Sequence, residues 1–255
     1  MIDCGSLEYA QARVQARHGQ RVDEATWRRI EVVRAISPLL DLARSTALRT
    51  WLVGITPDSS AHQVEAGLRA RWREAVDEVA VWMPQPWQAP LRWCAVLPDL
   101  APLQHLARGD PAPAWMLDDP LWRELAATAA PMRAARLDSG PWAALAAAWN
   151  EPHTLGTAWL ANWRLSLPRS IEHGADALTQ LCRAMLEHAE ASHGAEPGQW
   201  AQLRQALRER LALLLRRATL EPALAFIHLA LCLLDLQRLR AELLRRLLFS
   251  RWGAA

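Results

Sequence analysis

The sequence predicts an all-α protein built around a buried C-terminal helix, and three observations carry that prediction. No stretch alternates apolar and polar residues with a period of two, as a half-buried strand would. Apolar residues recur instead at three- and four-residue spacing, with Ser, Asp and Pro where helices would start and Gly and Pro where they would stop. The last stretch, 219–252, is apolar on every face from Ala223 to Leu234 except at His228, and then amphipathic through Leu236, Leu239, Leu243 and Leu247. A helix of this kind is covered by others in its first half and emerges in its second. Its apolar part is shorter than the roughly 20 residues that cross a bilayer.

Taken in order, Ser6 caps a helix over residues 7–18, with Gly19 just past its end. Asp23 caps a second over 24–35, and Ser37-Pro38 starts a short third over 38–45. A loop through Gly54 and Pro57 leads to Asp58 or Ser59 and the clearest amphipathic helix, with Val64, Leu68, Trp72, Val76, Val79 and Met83 on one stripe. Pro84 and Pro86 end it. Residues 87–97 are helical in pattern, and Pro98 and Pro102 kink or restart the chain. The plainest loop is 109–113. Asp118-Asp119-Pro120 then starts a helix that Pro131 interrupts, and Ser139-Gly140-Pro141 precedes another at 142–149. Helices over 152–167, 169–191 and 199–217 lead to the last, which Thr219 caps. The chain is therefore expected to be one all-helical domain over 1–255, a compact multi-helix bundle, with a candidate subdomain boundary near 109–117.

Composition narrows the function. At 51% hydrophobic and 22% charged the chain is globular, not disordered. A net charge of +2 gives no global drive toward nucleic acid. All basic residues are arginine, which fits a GC-rich coding sequence. Cys4, Cys94, Cys182 and Cys232 lie far apart without a CxxC pair, as buried small hydrophobes in a reducing compartment would. The opening residues show no signal-peptide pattern, so a cytoplasmic location is expected. Fourteen tryptophans against one tyrosine and two phenylalanines make Trp the main aromatic of the core. Trp27, Trp72, Trp82, Trp93, Trp122, Trp159 and Trp163 fall at apolar helical positions, with the indole N–H expected to bond locally; the alternative is a contact surface.

Catalytic and metal patterns are weak. His188 and His193 are five residues apart, whereas two ligands on one helix face need a spacing of four. Asp118-Asp119 is similar to the start of the magnesium site of all-α isoprenoid enzymes, but Trp122 stands where a further carboxylate is needed. The two aspartates are better read as cap and dipole partners. No phosphate loop, GxSxG elbow or Cys/His pair can be found. No cofactor, no metal and no catalytic residue is assigned. A small pattern does recur: Leu40-Asp41-Leu42, Asp99-Leu100 and Leu234-Asp235-Leu236 place an aspartate in an apolar run. A carboxylate there needs an arginine from another helix. The spacing leaves room for degenerate internal repeats.

Three stretches together resemble a family. Residues 7–17, Leu-Glu-Tyr-Ala-Gln-Ala-Arg-Val-Gln-Ala-Arg, are similar to the N-terminal helix of the subunit that couples stalk to ring in V-type and A-type rotary ATPases. Residues 93–109 look like that family's repeated helix, and 222–249 like its closing helix. The chain departs from the pattern in being shorter than three repeat units, in Asp-Leu for Asn-Leu, in Pro98 and Pro102, and in its tryptophans. The resemblance implies a non-catalytic adaptor, peripheral on the cytoplasmic face of the membrane, that joins the proteolipid ring to the central-stalk subunits. Tyr9, Arg13 and Arg17, which match the opening motif, become its implied partner-binding residues. Arg245, Arg246 and Arg251 are further cations that could meet acidic partners or lipid headgroups. The alternatives are a free-standing helical interaction or regulatory protein and, third, an all-α enzyme of isoprenoid-synthase type.

Overall fold

A computed structural model describes residues 6–168, 175–196 and 198–249, with the backbone alone at 175, 193 and 249. Among them are thirteen α-helices joined by turns and short 3-10 segments, and no strand. The fold is all-α.

α1, Leu7–Gly19, starts where Ser6 Oγ accepts the Tyr9 N–H at 3.2 Å; Gly19 lies inside it and Gln20 follows as its C-cap. α2, Glu24–Val32, is capped by Asp23 and stops short of residue 35 because Val33 turns extended. α3, Ile36–Arg44, carries Pro38 in its first turn, where no N–H is missed. α4, Ala61–Trp82, begins at Ser60, one residue after the expected cap, because only Ser60 has a glutamine three positions on to close a capping box. α5, Gln85–Trp93, tightens into a 3-10 segment, Cys94–Asp99, around Pro98, and α6, Leu100–Ala107, tolerates Pro102 in its first turn. At Gly109 the backbone takes φ 84°, which suits glycine alone without strain.

α7, Ala114–Asp118, and α8, Arg123–Ala127, correct one expectation: Asp118 ends a helix instead of starting one. Asp119 organises the turn between them, its Oδ1 accepting the Leu121 N–H at 2.9 Å. α9, Arg133–Leu137, follows the break at Pro131. The expected helix at 142–149 is 3-10 over Ala143–Ala148, and α10, Leu155–Ser166, follows. α11, Ala175–His193, α12, Trp200–Arg217, and α13, Ala223–Phe249, complete the chain. Thr219 is not the α13 cap. Leu220 takes φ 55° there, and the helix starts only after Pro222.

Contacts divide the chain into two units, Met1–Leu91 with Pro168–Ala255, and Arg92–Leu167. The 109–113 loop lies inside the second. In the first unit α13 is the spine, packed against α1, α3, α4, α11 and α12. Residues 222–229 are buried without a gap, and beyond them Leu231, Leu236, Leu239 and Leu243 stay buried at helical spacing. Trp72, Leu68 and Val76 of α4 are buried in the same core, each such side chain contributing about 1.5–3 kcal/mol of gross burial free energy.

The second unit is built from short helices around tryptophan. Trp122 is fully buried, edge-on to Trp115 with centroids 5.7 Å apart and tilted against Trp142 at 4.4 Å. Trp93 and Trp159 exchange bonds, each indole N–H donating to the other's backbone carbonyl at 3.0 and 3.2 Å. Short helices leave many C-terminal carbonyls unmatched. Buried Arg133 answers three of them, donating to the carbonyls of Leu106, Asp110 and Thr128.

Candidate functional site

Polar residues on the α13 spine tie it to the N-terminal helices. Asp235 is 5% exposed and accepts from Arg21 Nε at 2.8 Å and from Arg208 Nη2 at 2.7 Å. Arg21 lies just past α1 and Arg208 on α12, so one carboxylate joins three segments. Burial raises the Asp235 carboxyl from its ordinary value, while the two guanidiniums pull it back down. The expected arginine partner for a buried Leu-Asp-Leu carboxylate is present here. Asp41 is exposed on α3 and carries no such role, whereas Asp99 is buried.

Further along α13, Arg238 makes a two-oxygen pair with Glu24, bonds Glu31, and lies 4.7 Å over the Trp27 ring. Arg246 is 4% exposed and donates to the carbonyls of Ile30, Glu31 and Val33 and to Glu242. It caps the end of α2 from within. The expectation that Arg246 faces a partner is therefore overturned; Arg245, half-exposed beside Glu242, keeps an outward part, and Arg251 and Trp252 lie outside the described residues.

Tyr9, Arg13 and Arg17 recur every four residues and share one stripe of α1. Arg13 and Arg17 both reach Glu78 of α4, at 3.6 and 2.6 Å, and Arg13 lies 5.1 Å over the Trp82 ring. Tyr9 is half-buried one turn before them. The side chains of Arg13 and Glu78 are each 44% exposed. A pair so open to water contributes only about 0.2–1 kcal/mol. These contacts orient the arginines more than they stabilise the fold. Glu78 and Trp82 carry no signal in the sequence that would assign them to this group, because their partners lie some sixty positions away.

Below the stripe a cavity of about 210 Å³ opens among α1, α4, α13 and the 3-10 segment Ala47–Trp51. His228 lines it at 4% exposure, its ring 6.2 Å from Trp82, and burial pulls its pKa down to about 3, so the imidazole is neutral. Its Nε2 lies 3.6 Å from Cys232 Sγ, and its Nδ1 has no hydrogen-bond partner among the described residues. Burial also pushes the Cys232 thiol up to about 12, so it is not a thiolate nucleophile at neutral pH.

No protein-family model, characterised protein or solved structure matches this chain.

The remaining candidates resolve locally. His188 sits 3.5 Å from Ser192 Oγ, and its pKa is lowered by burial. His173, the His193 side chain and Cys4 lie outside the described residues. Cys94 is buried, its thiol also pushed up to about 12 by desolvation. Among the described residues no three His, Cys, Asp or Glu side chains gather as metal ligands, and no helix is long and apolar enough to cross a membrane. Most of the tryptophans named from the sequence are buried, but the Nε1 atoms of Trp27 and Trp122 bond nothing among the described residues.

His228 makes stability depend on acid. The unfolded imidazole titrates near 6.5 and the folded one near 3, so the unfolded state binds more protons between those values and stability falls as pH drops through them. Between about pH 7 and pH 5 this group alone removes about 2 kcal/mol. Urea midpoints of the wild type and His228→Phe at the two pH values measure it. The variant should lose most of the pH dependence; an unchanged dependence would place it on other groups.

Proposed function

We propose that this chain is a non-catalytic coupling subunit of a V-type or A-type rotary ATPase, seated between the proteolipid ring and the central stalk. The observation that carries the reading is the α1 stripe. The residues that match the opening motif of that family stand at one face, open to water, and are held in place by Glu78 and Trp82. Arginines poised but half-exposed suit recognition of an acidic partner surface, where charge sets specificity and rate of encounter. The spine supports the same role. A torque coupler needs a body that does not shear, and α13 is cross-tied to α1, α2 and α12 through Asp235, Arg238 and Arg246. Its partners are central-stalk subunits and the ring, and its membrane association is peripheral, through the complex.

The test is affinity capture of the tagged protein from solubilised native membranes at moderate salt. Proteolipid and central-stalk subunits should co-purify, and joint replacement of Tyr9, Arg13 and Arg17 by alanine should reduce their recovery about tenfold or more. Because the three side chains add little to stability, the variant should stay folded by circular dichroism. Recovery unaffected by the replacement would keep the role and remove these residues from the interface. A folded protein that captures no rotary-ATPase component would overturn the reading.

A further inference from the structure

The cavity beneath the α1 stripe has the features of a ligand site that the coupling role does not require. Its acidic lining residues are already matched. Glu78 takes Arg13 and Arg17, Glu74 takes Arg71, and Asp235 takes Arg21 and Arg208. Arg49, exposed on the 3-10 segment and lining the same cavity, has no carboxylate partner among the described residues. The charge count at the opening is therefore one cation in excess.

The walls differ from the opening. Trp51 and Trp82 line the cavity with Val79 and Leu229, and His228 lies among them as a neutral ring with Nδ1 unpartnered. A buried polar atom without a partner is unfavourable, and a ligand polar atom in reach of it relieves that cost. An apolar cavity of about 150 Å³ accommodates benzene. A space of about 210 Å³ has room for an aromatic ring with a small substituent.

The geometry points to this cavity as a binding site for a small aromatic carboxylate, its ring against Trp51 and Trp82, its carboxylate on Arg49, and a ring substituent or carboxylate oxygen in reach of His228. The two halves need each other. An inorganic anion would meet Arg49 but leave the aromatic walls unused, and a neutral ring would fill the walls but leave Arg49 unanswered.

Calorimetric titration of the full chain with benzoate tests this, beside benzyl alcohol and inorganic phosphate. Benzoate should bind saturably, with one ligand per chain and more tightly than either comparison compound. Arg49→Gln, at an exposed position whose loss leaves no buried charge, should weaken benzoate about tenfold, as expected for one charge-assisted hydrogen bond. The ring resonances of His228 should shift during the titration. Absence of saturable binding in the millimolar range, an unchanged affinity in Arg49→Gln, or phosphate binding as tightly as benzoate would each overturn the proposal. Capture of the stalk and ring subunits does not depend on the outcome, so the two readings fail separately.

Discussion

Asp235→Asn lowers the stability of the protein by about 3 kcal/mol or more, seen as a fall in the urea midpoint. The carboxylate is 5% exposed and holds two guanidiniums whose side chains are themselves 11% and 16% exposed. Asparagine has the same shape but no charge, and its amide group faces one of the arginines with a donor. Two cations then remain in a poorly solvated position without an anion, and that cost is the main part of the loss. The three partners also join the end of α1 to α12 and α13, so the loss reaches elements distant in sequence. A second variant separates charge from packing. Changing Asp235 to Leu together with Arg21 and Arg208 to Met removes all three charges and should recover most of the stability of the wild type. If Asp235→Asn costs less than about 1 kcal/mol, the cluster behaves as an exposed ion pair and the clamp on α13 is not a structural necessity.

Trp122→Ala costs about 3–5 kcal/mol, with the damage centred in the second unit. Trp122 is fully buried and touches Trp115 and Trp142 within aromatic packing distance. Alanine leaves a hole among helices of five to eight residues, which have little internal stability and depend on that packing. Native-state amide exchange should lose its protection over residues 100–155 before the α13 core is affected. Trp122→Phe should cost much less, because the Trp122 Nε1 makes no hydrogen bond among the described residues for phenylalanine to forfeit. Uniform loss of protection along the chain would show instead that the two units unfold together.

The helices of the first unit are legible in the sequence because local forces decide them. The Ser6 and Asp23 caps stand where their side chains can accept the third residue's N–H, and the α4 stripe through Trp72 is buried as its spacing predicts. Boundaries are lost where two local signals compete. Three consecutive polar residues precede α4, and the reach of Gln63 back to Ser60 selects among them. The second unit is harder to read. Its helices are too short for a periodic stripe, and Asp118 ends a helix because the Trp115–Trp122 contact, not a cap, decides where α7 stops and α8 begins. Among the candidate site residues, Arg13 and Arg17 follow from the motif alone, while Glu78, Trp82, His228 and Arg49 enter only through contact.

By itself the sequence determined the all-α class, the burial of the last helix and the need of Asp235 for arginine partners. Each follows from periodicity or from the cost of burying a charge, and none depends on where the rest of the chain lies. Tertiary structure alone decided which arginines answer which carbonyls and carboxylates. Arg245 and Arg246 are adjacent and chemically identical, yet Arg245 is about half-exposed beside Glu242 and Arg246 is inside, on the last carbonyls of α2. One residue along a helix is a turn of about 100°, and only the position of the neighbouring helix says which of the two directions is inward.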